Sequence, residues 1–309
     1  MLERNSKLMT KKMIRYLIPS ILMIFAMQFG SLIDGVLVGN IMGNEALSAT
    51  SLVLPVLYIA QLPCLAMGTG GSIVAANLLG KREIKKAKTA FSICLIVGMA
   101  ASMVFAILSF FISKPLAQLY CPNEDFAELG RQYLFVLLIT DPIICFTIIM
   151  ACFVGVDNNP RLASLIYIVA NGVKVISEFI FLKYTNLGLY GAALSTSVGY
   201  AVGALLVIFY IKNKKRLLSF TFKFEDFGQM FKESLKASSS VAMNYGLIAV
   251  QMSVCNIFIA KLIDPASVDI LVFGVISNMV FVFDLFFVSD PFQCKTIPCN
   301  VKPYLLTHQ

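Results

Sequence analysis

Tryptophan is absent from the 309 residues, and histidine occurs once, at His308 beside the C-terminus. A lone terminal histidine excludes a histidine general base in a cleft and a His-ligated metal centre. Charge is scarce as well: Asp, Glu, Lys and Arg make up 14% of the chain, against about a quarter in soluble domains. The eight cysteines add no metal pattern. Cys64, Cys94, Cys145, Cys152 and Cys255 lie in apolar runs, where a thiol packs as a small apolar group. Cys294 and Cys299 have no second pair to complete a four-ligand set. The stretch "GTGGS", Gly68 to Ser72, has no Gly-Lys-Ser/Thr after it and is not a phosphate loop. With no nucleophile–base pair in view, an enzyme is not expected, and no cofactor is expected either. The first apolar run is too long for a signal-peptide h-region, so targeting is expected through the first span itself.

What fills the chain is hydrocarbon: 58% of residues are hydrophobic. Runs of roughly 20 such residues are long enough to cross a bilayer as helices. Eight occur, at about 14–38, 52–79, 89–112, 131–155, 162–183, 187–211, 237–260 and 268–289. They are too long, and too little alternating, for barrel strands. An all-α polytopic membrane protein is expected.

The net charge of +8 invites a nucleic-acid reading, but its distribution argues against one. Cations cluster at Arg4, Lys7, Lys11, Lys12 and Arg15, in "KREIKKAK" (Lys81 to Lys88), and at Lys212, Lys214, Lys215 and Arg216. The loops around 40–50 and 113–130 carry few. This alternation follows the positive-inside rule and puts the N-terminus and the even-numbered loops in the cytoplasm. The partner implied is the lipid bilayer of the cell membrane, with no nucleic acid.

Residues 212–236 form the one long connection. They are basic and amphipathic, as expected of a cytoplasmic linker near the membrane surface. On this basis residues 1–211 form an N-terminal lobe of six spans, 212–236 a linker, and 237–290 the first two spans of a second lobe. Shifting the chain by about 221 residues sets 36–53 against 257–273, a weak repeat of the kind from which transporters are built. In 291–309 apolar periodicity stops and Pro291, Pro298 and Pro303 appear; this is read as an irregular tail left by truncation or a frame shift.

Charges inside spans are costly and mark ion or substrate pathways. Asp34 lies in the first span, Asp141 in the fourth, Lys174 and Glu178 in the fifth, and Asp284 in the eighth. On the fifth, Tyr167, Asn171, Lys174 and Glu178 follow i, i+4, i+7, i+11, a single helical face. With a rise of 1.5 Å per residue, Asp34 and Glu178 fall at about 30 and 25 Å from the inner ends of their spans. Lys174 and Asp141 lie nearer the middle, so one polar chamber could hold all four. The plainer alternative is a Lys174–Glu178 pair at i,i+4 that only packs against a neighbour. Gly191, Ser195, Gly199 and Gly203 recur every fourth residue, as do Gly35, Gly39 and Gly43. Such spacing means close helix packing. The glycines at 68–71 are expected to loosen the second helix, and Pro19, Pro55, Pro63 and Pro142 to kink theirs.

"YLIPSILMIFAMQFGSLIDGVLVGNIMGNEALSATSLVLPV" (16–56), "GTGGSIVAANLLGKREIKKAKTAF" (68–91), "GVDNNPRLAS" (155–164) and "NLGLYGAALSTSVGY" (186–200), in this order and spacing, resemble the multidrug and toxic compound extrusion (MATE) transporters. The resemblance runs from about 13 to 285. It implies a six-helix lobe plus the first two helices of a second lobe of a twelve-helix fold, around a central cavity. It implies efflux of cationic, amphipathic drugs or toxins by antiport with protons or sodium. By the same resemblance, the cation site of the first lobe falls on Asp34, on Glu178 in place of Asp, on Lys174 in place of Asn, and on Thr196. Asp141, Asn171 and Tyr167 would line the cavity and meet a cationic substrate. An ammonium offers sodium no ligand, so Lys174 is expected either to titrate with the carboxylates or to act as a fixed counter-ion. The alternatives are an exporter of lipid-linked sugar or polysaccharide in the same superfamily, and a fragment that does not transport.

Overall fold

The computed structural model describes residues 22, 25–26, 29–121, 124–157, 159–212, 217–221 and 226–262, with side chains to 257. Among them all regular structure is helical. In chain order the helices are α1 (Phe29–Met42), α2 (Asn44–Leu65), α3 (Gly71–Gly80), α4 (Ile84–Tyr120), α5 (Glu124–Val156), α6 (Pro160–Tyr184), α7 (Leu189–Ile211) and α8 (Phe227–Leu262). A single π-helical turn, Ala66–Gly70, joins α2 to α3 without a break.

Among the described residues, five helices are long and apolar enough to cross a membrane: Asn44–Gly80, α4, α5, α6 and α7. They correspond to the second to sixth expected spans. The first is described as the shorter apolar α1, and the seventh lies within α8. The eighth, with Asp284, lies outside the described residues, as do Pro19 and the tail. Helix α8 starts at Phe227, so the second half of the expected linker is helical.

Helix α5 is the hub. It packs on α4, α2, α6 and α7, while α6 lies on α7 and α8 runs beside α2. The deepest side chains come from several helices at once: Leu52, Ile93, Leu134, Leu138, Ile149, Phe153, Ile166 and Leu189. Helix α4 is at the rim, and its Met103, Ile107, Phe110 and Phe111 are exposed along one face. In hydrocarbon that face meets lipid tails, so hydrophobicity alone does not hold the helices together; close packing of small residues does. The α6–α7 contact shows this. A Cβ on Gly199 would overlap the Ala170 carbonyl of α6, and one on Gly203 would come 3.4 Å from Ala170 Cβ, with Thr147 Cγ2 of α5 at 3.0 Å on its other side. The four-residue spacing in α7 is therefore a packing seam, as expected.

The glycine run in α1 differs at its end. A Cβ on Gly39 would come 3.1 Å from Leu47 Cδ2, but Gly43 ends the helix with φ +91. That positive φ is open to glycine at little cost and lets α2 double back on α1. In the second span, Pro63 cannot donate to the Ile59 carbonyl, and the π turn follows within a few residues. Thr69 Oγ1 bonds the Leu65 carbonyl at 2.6 Å and Ser72 Oγ the Thr69 carbonyl at 2.8 Å. The expected loosening is thus a defined π turn with its polar groups satisfied.

Lys81, Arg82, Lys85, Lys86, Arg161 and Lys212 all lie at one end of the bundle, here called the basic end. There Glu83 pairs with Lys86 at 2.9 Å, and that hydrogen bond holds its carboxyl below the usual range.

Candidate functional site: a carboxylate–ammonium cluster between α1 and α6

Helices α1 and α6 run in parallel, in a register set by small contacts. A Cβ on Gly30 would come 3.0 Å from Asn171 Oδ1, so α1 lies tight against α6 at that turn. Asn171 Nδ2 donates to the Tyr167 carbonyl at 2.9 Å, which fixes its carboxamide along the helix. About one turn further along each helix, Lys174 Nζ lies 3.2 Å from Asp34 Oδ1. Gly199 of α7 backs this turn: a Cβ there would stand 3.0 Å from Lys174 Cβ. The glycine lets Lys174 sit deep between three helices.

The polar stripe on α6 faces inward, as the spacing required. Tyr167 and Glu178 are buried, whereas Ile176, Phe179 and Ile180 point outward. Lys174 bridges across to α1, so the pair is not the i,i+4 pair along one helix. Glu178, the next turn along, interacts electrostatically with both Asp34 and Lys174 and has no exposed surface.

The buried side-chain oxygens and nitrogens that lack a hydrogen-bond partner among the described residues are Asp34 Oδ1, Asp141 Oδ2, Glu178 Oε1 and Oε2, and Thr196 Oγ1. All five belong to residues singled out from the sequence. Asp34 Oδ1 is in ion-pair range of Lys174 but outside hydrogen-bond geometry. Buried polar atoms are nearly always satisfied, so these oxygens are acceptors open to a proton, a water or a ligand. Charge counting agrees: two carboxylates face one ammonium, leaving one negative charge for a proton or a monovalent cation to neutralise.

Asp141 stands apart. It is buried on α5 at the turn carrying Pro142 and interacts electrostatically with Cys64 of α2. No ion pair joins it to the Asp34–Lys174–Glu178 cluster among the described residues. On either side of it α5 is stitched to α7, by Thr140–Ser197 at 2.7 Å and by Thr147 Oγ1 to the Tyr200 carbonyl at 3.0 Å. Tyr167 interacts with Cys152, lower on α5. No group of three His, Cys, Asp or Glu side chains could hold a metal among the described residues.

Four tyrosines escaped sequence reasoning. Tyr133 of α5 faces Asp34 and Glu178, and Tyr200 of α7 faces Lys174. Tyr58 of α2 neighbours Tyr133, and Tyr245 of α8 neighbours Tyr200. The available signal was a phenol inside an apolar span, where the hydroxyl needs a partner.

The MatE family's sequence profile matches residues 19–180, just over half of the chain. This chain belongs to the MatE family. Its members are transporters, not enzymes. The multidrug export protein MepA of Staphylococcus haemolyticus (strain JCSC1435) is 23% identical over 242 residues, which cover 76% of this chain and 54% of that protein. MepA of Staphylococcus aureus (strain MRSA252) is 24% identical over 238 residues, covering 74% and 52%. The chain thus spans about half the length of the curated relatives it matches. Among solved structures, the MATE multidrug transporter DinF-BH, solved as a complex, superposes with a TM-score of 0.85 at 21% identity, covering 94% of this chain and 66% of that one. A MOP superfamily transporter from Pyrococcus furiosus, described as having a binding pocket of reversed polarity, gives 0.74 at 21% identity, covering 96% and 64%. These likenesses establish the MATE fold for the bundle.

Proposed function

We propose that this MatE chain works in the efflux of cationic, amphipathic compounds by antiport with protons or sodium, through alternating access around the cluster between α1 and α6. The basic end would face the cytoplasm and the bundle would lie in the cell membrane. The observation that carries this reading is the coincidence of the five unpartnered buried atoms with Asp34, Asp141, Glu178 and Thr196. The family and the MepA relatives, named for multidrug export, support the transport class.

Protons are the coupling ion best supported. Sodium asks for several oxygen ligands, and Lys174 places an ammonium 3.2 Å from one of the few available. Asp34 and Lys174 would hold each other, and Glu178 would gain and lose the proton that balances the cluster. Substrate export would draw on the same surplus of acid: Asp34, Asp141 and Glu178 against Lys174. That surplus favours a cation over the phosphates of lipid-linked sugars, which suit a basic cavity.

The test is efflux of a fluorescent organic cation from vesicles containing the protein, energised by a pH gradient or a sodium gradient. Efflux driven by the pH gradient and lost in Asp34→Asn supports the reading. Efflux unchanged by that substitution contradicts it, and tighter binding of a lipid pyrophosphate than of the organic cation favours the polysaccharide class instead.

A further inference from the structure

At the basic end, the connection between α7 and α8 is fastened to the helices before it. Asp157, directly after α5, is buried. Its carboxylate accepts the Tyr210 hydroxyl of α7, and Oδ1 and Oδ2 accept the Leu217 backbone N–H at 3.0 and 3.2 Å. Four residues on, the Thr221 N–H donates to Ser92 Oγ of α4 at 2.9 Å. Ser92 is wholly buried, and its own hydroxyl donates to the Lys88 carbonyl at 2.9 Å. Leu218 is buried between the two anchor points.

Helix α8 then lies over a seam of small groups. The Ser234 carbonyl occupies the place a Cβ on Gly70 would take, and Ser238 Cβ lies 2.8 Å from that position. The Cys94 thiol sits 3.4 Å from Ser234 Oγ, pressed against Gly71 on its other side. Cys94, Ser234 and Ser238 have no exposed surface. The Ser234 and Ser238 hydroxyls donate to the Met230 and Leu235 carbonyls of α8 itself, so the hydrogen bond that crosses this seam comes from the Cys94 thiol, a weak donor. The far end of α8 is held separately, by Tyr120 to Ser253 at 2.9 Å and by Asn256 Nδ2 to the Leu52 carbonyl at 3.2 Å.

We propose that Asp157 and Ser92 form a latch that holds residues 217–221 against the first six-helix lobe, and that release of this latch lets α8 swing off the Gly70–Cys94 seam at the basic end. Both anchors grip backbone N–H groups, so they hold the path of the connection, and the buried Leu218 side chain packs between them. A carboxylate acceptor makes the Asp157 end the stronger. With both anchors made, only residues 222–226 separate the last one from α8, and the cost of bringing the helix onto the seam is small. With both broken, the free connection spans 212–226 and that cost rises.

The latch is read out by two native thiols, without any transport assay. Cys94 is covered by α8, whereas Cys145 is buried inside the bundle against the Gly98 carbonyl at 3.4 Å. The protein in lipid is exposed to a small water-soluble maleimide, and alkylation at each cysteine is followed by peptide mass spectrometry. In the Asp157→Ala, Ser92→Ala double variant, labelling of Cys94 is expected to rise by about tenfold or more, the factor that follows from losing hydrogen bonds to a charged group. Cys145 should not change. An unchanged Cys94 overturns the proposal, and so does a rise shared equally by Cys145, which would mean general loosening. Ser92→Ala alone removes the Thr221 anchor and keeps the test decisive if the double variant does not accumulate. It should raise Cys94 labelling by a smaller factor, and no rise overturns the latch.

Discussion

Lys174 Nζ meets Asp34 Oδ1 at 3.2 Å across two helices, and the Glu178 carboxyl one turn away lies within hydrogen-bonding reach of the same Asp34. Two carboxyl groups thus share one ammonium, and one proton between them balances the cluster.

The pair should behave as a coupled unit in stability. Asp34→Asn removes the partner that Lys174 meets at 3.2 Å and leaves the ammonium with Glu178 alone. Lys174→Met removes the cation from between two carboxylates. In thermal unfolding in detergent, we expect the double variant to be less destabilised than the sum of the two single variants, with a coupling energy of about 1 kcal/mol or more.

Glu178→Gln keeps the shape and removes the exchangeable proton. The variant should fold, bind the organic cation and fail to export it against a pH gradient. Efflux at the wild-type rate would move the coupling step elsewhere.

Asp141 lies outside the ion-paired cluster, so its replacement should separate binding from coupling. Removing one charge at about 10 Å from a cationic ligand, at an effective dielectric constant of about 20, weakens binding by about tenfold. Asp141→Asn is therefore expected to raise the dissociation constant of the organic cation by that factor while the response to the pH gradient persists.

The glycines of α6 and α7 offer a packing contrast. A Cβ on Gly199 overlaps the Ala170 carbonyl, which cannot move alone, whereas one on Gly172 meets nothing within 4 Å. Gly199→Ala should cost about 1–3 kcal/mol through overpacking. Gly172→Ala should be neutral or stabilising by up to about 1 kcal/mol, because alanine favours helix. Thermal midpoints of the two variants check both signs.

Much of this was legible in the sequence because it is local. Run length gave the second to sixth spans, the i, i+4, i+7, i+11 stripe gave the inward face of α6, and glycine spacing gave the α6–α7 seam. What pairs with what was not legible. The Asp34–Lys174 contact joins residues 140 apart, and its register comes from Gly30 fitting against Asn171, which no periodicity encodes. The latch was hidden for the same reason. Asp157 stands in the quoted stretch "GVDNNPRLAS", yet only the fold brings Tyr210 and Leu217 to its carboxylate. Gly43 looked like a packing position by its spacing and is a turn, because a positive φ is a property of the chain path.

In the proposed function the Lys174 ammonium, 3.2 Å from Asp34, takes the place a coupling cation would need there. The direct measurement is efflux of an organic cation from vesicles, with and without a sodium gradient, in the wild type and in Lys174→Asn. We expect the wild type to be indifferent to sodium, and the variant, with an amide oxygen where the ammonium stood, to become sodium-dependent. A wild type that already requires sodium, or a variant whose sodium response does not change, would contradict it.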